Sequence, residues 1–341
     1  MCICNPYCSE KTNGFIYQKT YIHEMETQIQ NTHQIVIPLI KTRFVSYKEN
    51  KSIPFALWDD TILTELNVDD DLPLEVKHIL SSFYRNDLAF CEQNSITSFV
   101  IKMENTDQKT IDEKISKWQN RLKYFSVFYW TSCGNPIKPF SGFVISNNEV
   151  VATLNTPRGN DPDGYEFGRE TSHGITHEFL EQYIVTMRLF TNTPDALNSF
   201  APFFDLASAG FDSSSLNARI TLWVSALESL LVPGVINEIT HQIAVRAAFL
   251  ASDELEERKH IYKLFKSIYT LRSKYIHGES DDISEFSFAG SRLNTVYQLK
   301  QKFLYPIFRK IFNSKELLEF RSNKSDNYTL WNNYFENLMF E

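Results

Sequence analysis

Residues 255–280 read LEERKHIYKLFKSIYTLRSKYIHGES, and they decide how the second half of this chain folds. At 100° per residue, one broad apolar arc runs along the whole stretch. The members of this arc are Ile261, Leu264, Phe265, Ile268, Leu271 and Tyr275. An arc of this width is typical of a helix that packs one face on a core. We therefore predict a helix over residues 253–277, ended by Gly278 at the C′ position.

A second group of side chains lies beside this core face. Tyr262, Tyr269 and Ile276 recur every seven residues, and they are bordered by Lys266, Ser273 and His277. A helix of a small bundle needs only one apolar face, so this second seam indicates a further helix on that side. The further helix is either the same helix of a second copy in a homodimer, which we favour, or another helix of this chain.

The remaining sequence divides into a strand-rich first half and a helical second half. In the second half we also predict helices at 177–190, 214–231, 236–251 and 285–312, with a short tail helix at 330–338. Pro306 is expected to kink or break the helix at 285–312 near its end.

The first half is rich in β-branched and aromatic residues, which favour strands. The predicted strands are 34–46, 98–103, 124–131 and 143–154, and two helices are predicted at 73–85 and 110–122. Residues 155–168 are dense in Pro, Gly, Asn and Asp, and they mark the predicted boundary between domains. The expected fold class is α+β, with a β-rich domain over 1–168 followed by an all-α helical bundle over 169–341.

The composition restricts the functional class. The 341 residues are 43% hydrophobic and 22% charged, which is enough for about two folded domains. The net charge of −8 gives no support to nucleic-acid binding by the whole surface, so any basic patch must be local. No apolar window approaches the roughly 20 residues that cross a bilayer, and the start of the chain does not read as a signal peptide. Five cysteines in a long chain favour a reducing, cytoplasmic setting.

The predicted helix at 253–277 ends in Arg272-Ser-Lys-Tyr-Ile-His277, an R-x4-H motif. Two further blocks precede it, WVSALESLL at 223–231 and IAVRAAFL at 243–250. Together, in this order and with short connections, the three blocks resemble the HEPN superfamily, and in particular its ApeA-like branch, over residues 214–312. The resemblance implies a helical, dimeric ribonuclease that needs no metal or other cofactor, often a toxin or an effector of antiphage defence. Ser273 stands where the superfamily often has Asn.

The chemistry of such an enzyme explains the residue types. RNA is cut when its own 2′-hydroxyl attacks the adjacent phosphate and leaves a 2′,3′-cyclic phosphate. His277 is assigned as general acid or base, and Arg272 as the group that stabilises phosphate and transition state. Arg272 and His277 differ by about 140° around an ideal helix, so we expect them to meet across the two-fold seam between subunits. The supporting candidates are Tyr269, Ser273 and Lys266 for phosphate contacts and Glu228 for holding Arg272 or Arg246.

Other interpretations stay open at this point. The helical domain could be a non-catalytic HEPN module that binds RNA, a nucleotide or a protein, or it could only dimerise. His277 could be an ordinary histidine at a helix end, and Arg272 could be a structural partner of Glu228. Cys2, Cys4 and Cys8 could bind a metal, although a disordered terminus is the favoured interpretation. The i, i+4 pair His173 and His177 could bind zinc, but the surrounding sequence gives no support for it.

Overall fold

The computed structural model describes residues 33–40, 42–45, 55–58, 60–83, 95–103, 107–133, 138–139, 142–154, 173–192, 194–235, 237–278, 292–323 and 328–340. The chain divides into two compact units. The first comprises residues 1–119, 137–158 and 170–181, and the second comprises residues 120–136, 159–169 and 182–341. The fold is mixed, with a largely antiparallel sheet followed by a series of helices.

The first unit is built on a seven-stranded sheet. Its strands are β1 (His33–Ile40), β3 (Phe55–Trp58), β4 (Thr61–Asn67), β5 (Ser95–Met103), β6 (Lys138–Pro139), β7 (Gly142–Ser146) and β8 (Glu149–Leu154), in the order β3-β4-β5-β1-β7-β8 with β6 also on β1. A separate parallel pair joins β2 (Thr42–Val45) to β9 (His173–Thr176). Strand β1 is central, since Ile35 opposes Ile101 of β5 on one side and Val144 of β7 on the other.

One helix covers this sheet and closes a local core. Helix α1 (Leu74–Phe83) buries Val76 and Leu80 against sheet side chains that include Val36, Ile62 and Val100. The edge strand β8 alternates exposed and half-buried residues, as expected for an edge with one solvated face. The strand predicted at 98–103 is confirmed within β5, whereas 34–46 and 143–154 each contain two strands, β1 with β2 and β7 with β8.

The strand predicted at 124–131 is wrong, because these residues form the last part of helix α2 (Gln108–Cys133). The residues responsible for the error, Phe125, Val127, Phe128, Tyr129 and Trp130, are all buried. A helix buried on every side shows no 3.6-residue period, and an aromatic run of this kind cannot be told from a strand by its pattern. The second unit contains residues 120–133 of this helix.

The other helices of the chain are α3 (His177–Asn192), α4 (Pro194–Asp212), α5 (Leu216–Leu231), α6 (Ile239–Ala251), α7 (Leu255–Ile276), α8 (Arg292–Gln298), α9 (Tyr305–Phe312), α10 (Lys315–Ser322) and α11 (Thr329–Phe340). Among the described helices, none combines the length and apolar character needed to cross a bilayer. Helix α4 has no counterpart in the sequence prediction. It approaches α5 so closely that a Cβ added at Gly210 would overlap the indole ring of Trp223, whose Nε1 donates to the Ala207 carbonyl at 3.2 Å.

Two buried arginines fix the end of α5. Arg321 donates from Nε to the Leu230 carbonyl at 2.8 Å and from Nη2 to the Ser229 carbonyl at 2.7 Å. Arg246 donates from Nη1 to the Leu231 carbonyl at 2.7 Å. Burial lowers the pKa of each of these guanidinium groups to about 10. The last carbonyls of a helix lack intrahelical donors, so these cations stabilise the C-terminal end of α5.

A π-helical segment, Leu299–Leu304, joins α8 to α9. The Tyr305 N–H bonds to the Lys300 carbonyl, five residues back, immediately before Pro306. Proline has no N–H and would crowd the carbonyl four residues back in a regular helix. The wide turn before Pro306 removes that conflict, so the chain is distorted ahead of the proline and continues as a helix through it.

Candidate functional site

Helix α7 agrees with the predicted helix at 253–277, and most of its predicted core face is correct. Ile261, Leu264, Phe265, Ile268 and Leu271 are buried in the second unit. Tyr275 is the exception, because 41% of its surface is exposed. It lies in the last turn before the end of α7. The arc of an ideal helix could not show that the burial stops before the helix does.

Arg272 is held by two side chains of the neighbouring helix α5. Its Nη2 lies 3.5 Å from Glu228 Oε2 and 3.4 Å from Ser225 Oγ, to which it donates. The Arg272 and Glu228 side chains are 22% and 28% exposed. Arg246, the other predicted partner of Glu228, donates instead to the Leu231 carbonyl and to the Gln242 side chain. Ser225 was missed in the sequence, although it shares a face of α5 with Glu228, three residues later.

The guanidinium of Arg272 has unused hydrogen-bonding capacity. Arg272 Nε and Glu228 Oε2 are both buried, and neither has a hydrogen-bond partner among the described residues. At 3.5 Å the two groups attract by charge without forming the two parallel bonds of a closed fork. Tyr269 supports the same group from α7, since the Arg272 Cζ lies 5.3 Å from its ring centroid. A cation fixed in this way is oriented, and its donors are not saturated.

His277 occupies the C-cap of α7 and is exposed. The backbone N–H of His277 donates to the Ser273 carbonyl at 3.1 Å, so the backbone of Ser273 contributes to this cap. Gly278 follows with a φ of 70°, and nothing lies within 4 Å of the position of an added Cβ. The left-handed conformation suits glycine, which confirms its predicted C′ role. The neighbouring Ile276 is 50% exposed, so the end of α7 presents an imidazole beside an apolar surface.

Arg272 and His277 are not brought together within one chain. Five residues separate them by about 7.5 Å along the axis and 140° around it. Arg272 is directed towards α5, and His277 is exposed at the helix end. Among the described residues no hydrogen bond joins the two side chains.

Lys266 and Tyr262 form a second cationic arrangement on α7. The Lys266 Nζ lies 5.5 Å from the Tyr262 ring centroid, and the Tyr262 hydroxyl lies 3.0 Å from Nδ1 of His241, on α6. Beside them is an open cleft of about 540 Å³, lined by Glu238, Ile239, Thr240, His241 and Lys266. His241 was missed, because no sequence pattern links it to α7. Tyr262, a member of the predicted second seam, thus contacts another helix of the same chain.

Several basic side chains of α7 are already paired within the chain. Lys259 pairs with Glu256 at 2.6 Å, and Arg258 donates to the Ser252 carbonyl at 2.8 Å while stacking on Phe249. In the candidate site, the two cations of α7 that lie over tyrosine rings are Lys266 and Arg272.

Candidate metal positions outside this site were also located. Cys2, Cys4 and Cys8 lie outside the described residues, and His173 begins β9. The His177 Nδ1 lies 3.5 Å from Glu181 Oε1 on α3. Within the described part of the chain, no group of three or more His, Cys, Asp and Glu side chains is arranged to hold a metal ion.

Comparisons of the chain with protein-family models, with characterised proteins and with solved structures gave no match.

Proposed function

We propose that this chain is a metal-independent endoribonuclease of the HEPN type, close to the ApeA-like branch. The observation that carries the proposal is the oriented Arg272 guanidinium, held by Glu228, Ser225 and Tyr269. The exposed His277 follows five residues later, at the end of the same helix. A cation with an unpaired hydrogen-bond donor and an imidazole are the two group types that RNA cleavage through the 2′-hydroxyl requires.

The proposed reaction needs no external nucleophile. The ribose 2′-oxygen loses its proton and attacks phosphorus, the bond from phosphorus to the 5′-oxygen breaks, and that oxygen gains a proton. The products are a 2′,3′-cyclic phosphate and a 5′-hydroxyl. His277 transfers a proton in one of these steps, which is typically worth about 10²–10⁴-fold in rate. Arg272 binds the non-bridging oxygens, whose negative charge grows in the transition state.

A second copy of the chain would complete the site. Arg272 and His277 face different directions on one helix, whereas the Arg272 of one chain and the His277 of another can converge across a two-fold axis. The apolar side chains of Tyr275 and Ile276, 41% and 50% exposed, are the surface that such a copy would cover. We propose a homodimer through the helical unit, acting on cytoplasmic RNA, with tRNA among the candidates, as a toxin or an effector of antiphage defence.

The test is RNA cleavage by the full chain in EDTA. Purified protein is incubated with total RNA and with tRNA, and the ends of the fragments are identified. We expect 2′,3′-cyclic phosphate ends, and loss of cleavage in His277→Ala. His260→Ala is the matched control, because His260 is an exposed histidine near the start of α7, remote from Arg272. Absence of cutting, or equal cutting by both variants, overturns the proposal. RNA binding without turnover would instead favour the non-catalytic module.

A further inference from the structure

Two cations on α7, six residues apart, are each supported by a tyrosine ring. Lys266 lies over Tyr262, and Arg272 lies over Tyr269, with distances of 5.5 Å and 5.3 Å to the ring centroids. The tyrosines share one narrow stripe of the helix, and the two cations flank the stripe on opposite sides. A cation over an aromatic face is restrained as well as stabilised, so the position of each of the two charges is fixed.

Lys266 and Arg272 present two separate charges to a polynucleotide backbone. Six residues place them about 9 Å apart along the helix axis and about 120° apart around it, so they lie on different sides of α7. An RNA strand that contacts both groups must therefore pass around the helix. The Lys266 ammonium and the Arg272 guanidinium both complement the phosphate charge.

The cleft beside Lys266 has the size and chemistry of a nucleotide subsite. Its volume of about 540 Å³ lies within the range of about 300–1,000 Å³ that is usual for small-molecule sites. Lys266 from α7 and His241 from α6 line it and suit a phosphate. The Glu238 carboxylate would repel a phosphate, but it can accept a hydrogen bond from an amino group on a base edge. The Tyr262 hydroxyl, at 3.0 Å from His241 Nδ1, positions that imidazole.

We propose that this cleft is a second nucleotide-binding subsite, which holds a single RNA strand at a position separate from the phosphate at Arg272. The inference rests on the proposed ribonuclease function and assigns its substrate class as single-stranded RNA. Lys266 contacts the backbone directly, and Tyr262 is a positioning residue for Lys266 and His241. A duplex is a poorer ligand, because a base that is paired cannot enter the cleft beside Glu238.

The test is RNA binding in a full-length chain that cannot cut. In a His277→Ala background, the Kd of a labelled single-stranded octanucleotide is measured at several salt concentrations, with and without Lys266→Gln. We expect the variant to bind about 10-fold more weakly, and the slope of log K against log salt to fall by about 0.7, the value for one lost contact to single-stranded RNA. Lys315→Gln is the matched control, because Lys315 is an exposed lysine on α10 that pairs with Glu319 at 3.6 Å.

Three results would overturn the subsite. They are no binding of the octanucleotide, equal effects of Lys266→Gln and Lys315→Gln, and equal binding of a duplex of the same sequence. The outcome is separable from that of the proposed function. If the parent chain cuts RNA but Lys266→Gln changes neither Kd nor salt slope, the nuclease stands and the subsite fails. If the parent does not cut but binding depends on Lys266, the subsite stands and the nuclease fails.

Discussion

Arg272 of α7 and Glu228 of α5 face each other at 3.5 Å, and each carries a buried polar atom with no hydrogen bond to the described residues. The pair therefore depends on charge more than on directed bonding. Such a contact holds the arginine in place without forming a closed bidentate fork. A catalytic arginine must be held in place by its neighbours in this way.

The Glu228→Gln variant tests how much the pair stabilises the helical unit. We expect the free energy of unfolding to fall by about 1–2 kcal/mol, because a guanidinium that is only 22% exposed loses its counter-charge. Urea unfolding of the full chain measures the loss. Glu256→Gln is the control, since Glu256 pairs with Lys259 on the surface and is 84% exposed. That variant should leave the free energy of unfolding nearly unchanged, and equal losses in both would contradict the structural role.

The Gly210→Ala variant tests the close approach of α4 to α5. The added methyl overlaps the indole ring of Trp223, which is fully buried and bonded to the Ala207 carbonyl. Overpacking outweighs the better helix propensity of alanine, and we expect a net loss of about 2 kcal/mol. Thermal unfolding of the full chain measures it. The loss should shrink when Trp223→Phe makes room, and an unchanged loss in that background would show that the ring is not the cause.

Several parts of this fold could be predicted from the sequence. Helices α5 and α7 lie within two residues of their predicted bounds, because each shows a clear 3.6-residue period and a defined end. The α4 helix was not predicted, and residues 124–131 were assigned as a strand. Helix α4 has a regular exposed face, at Asn198, Pro202, Asp205, Ala209 and Asp212, so its amphipathic pattern was present in the sequence and was missed. Residues 124–131 have no such face, and only their tertiary packing shows that they are helical.

The candidate site was predictable to a similar extent. The contact between Arg272 and Glu228 followed from the cost of a lone cation at the edge of a core. Ser225 could have been found by its spacing from Glu228. The contact of His241 with Tyr262 could not, because it depends on how α6 packs beside α7, and no local pattern records that arrangement.

The Tyr183→Phe variant tests the burial of a phenol in the second unit. Tyr183 is fully buried between Phe125 and Phe128, and burial raises the pKa of its hydroxyl far above the ordinary value of 10.0. Above pH 10 the unfolded chain releases this proton while the folded chain keeps it, so stability falls as pH rises. We expect the parent to lose about 1 kcal/mol more than Tyr183→Phe between pH 10 and 11, because the unfolded phenol is already half ionised at pH 10. Urea unfolding at pH 8, 10 and 11 measures the difference, and parallel pH profiles would contradict it.

Mixing two inactive variants tests whether the site is shared between subunits. If Arg272 of one chain acts with His277 of another, a dimer of Arg272→Ala with His277→Ala holds one site with both groups and one site with neither. Random exchange makes half of the dimers mixed, so the mixture should recover about one quarter of the parent activity. RNA cleavage is measured before and after mixing at equal total protein, with each variant alone as control. The Arg272→Ala chain mixed with Arg272→Ala/His277→Ala is the matched negative, because no pairing of these chains restores a complete site. Recovery in that mixture would show that cleavage does not need Arg272, and no recovery in the first mixture despite a dimeric mass by light scattering would rule out a shared site.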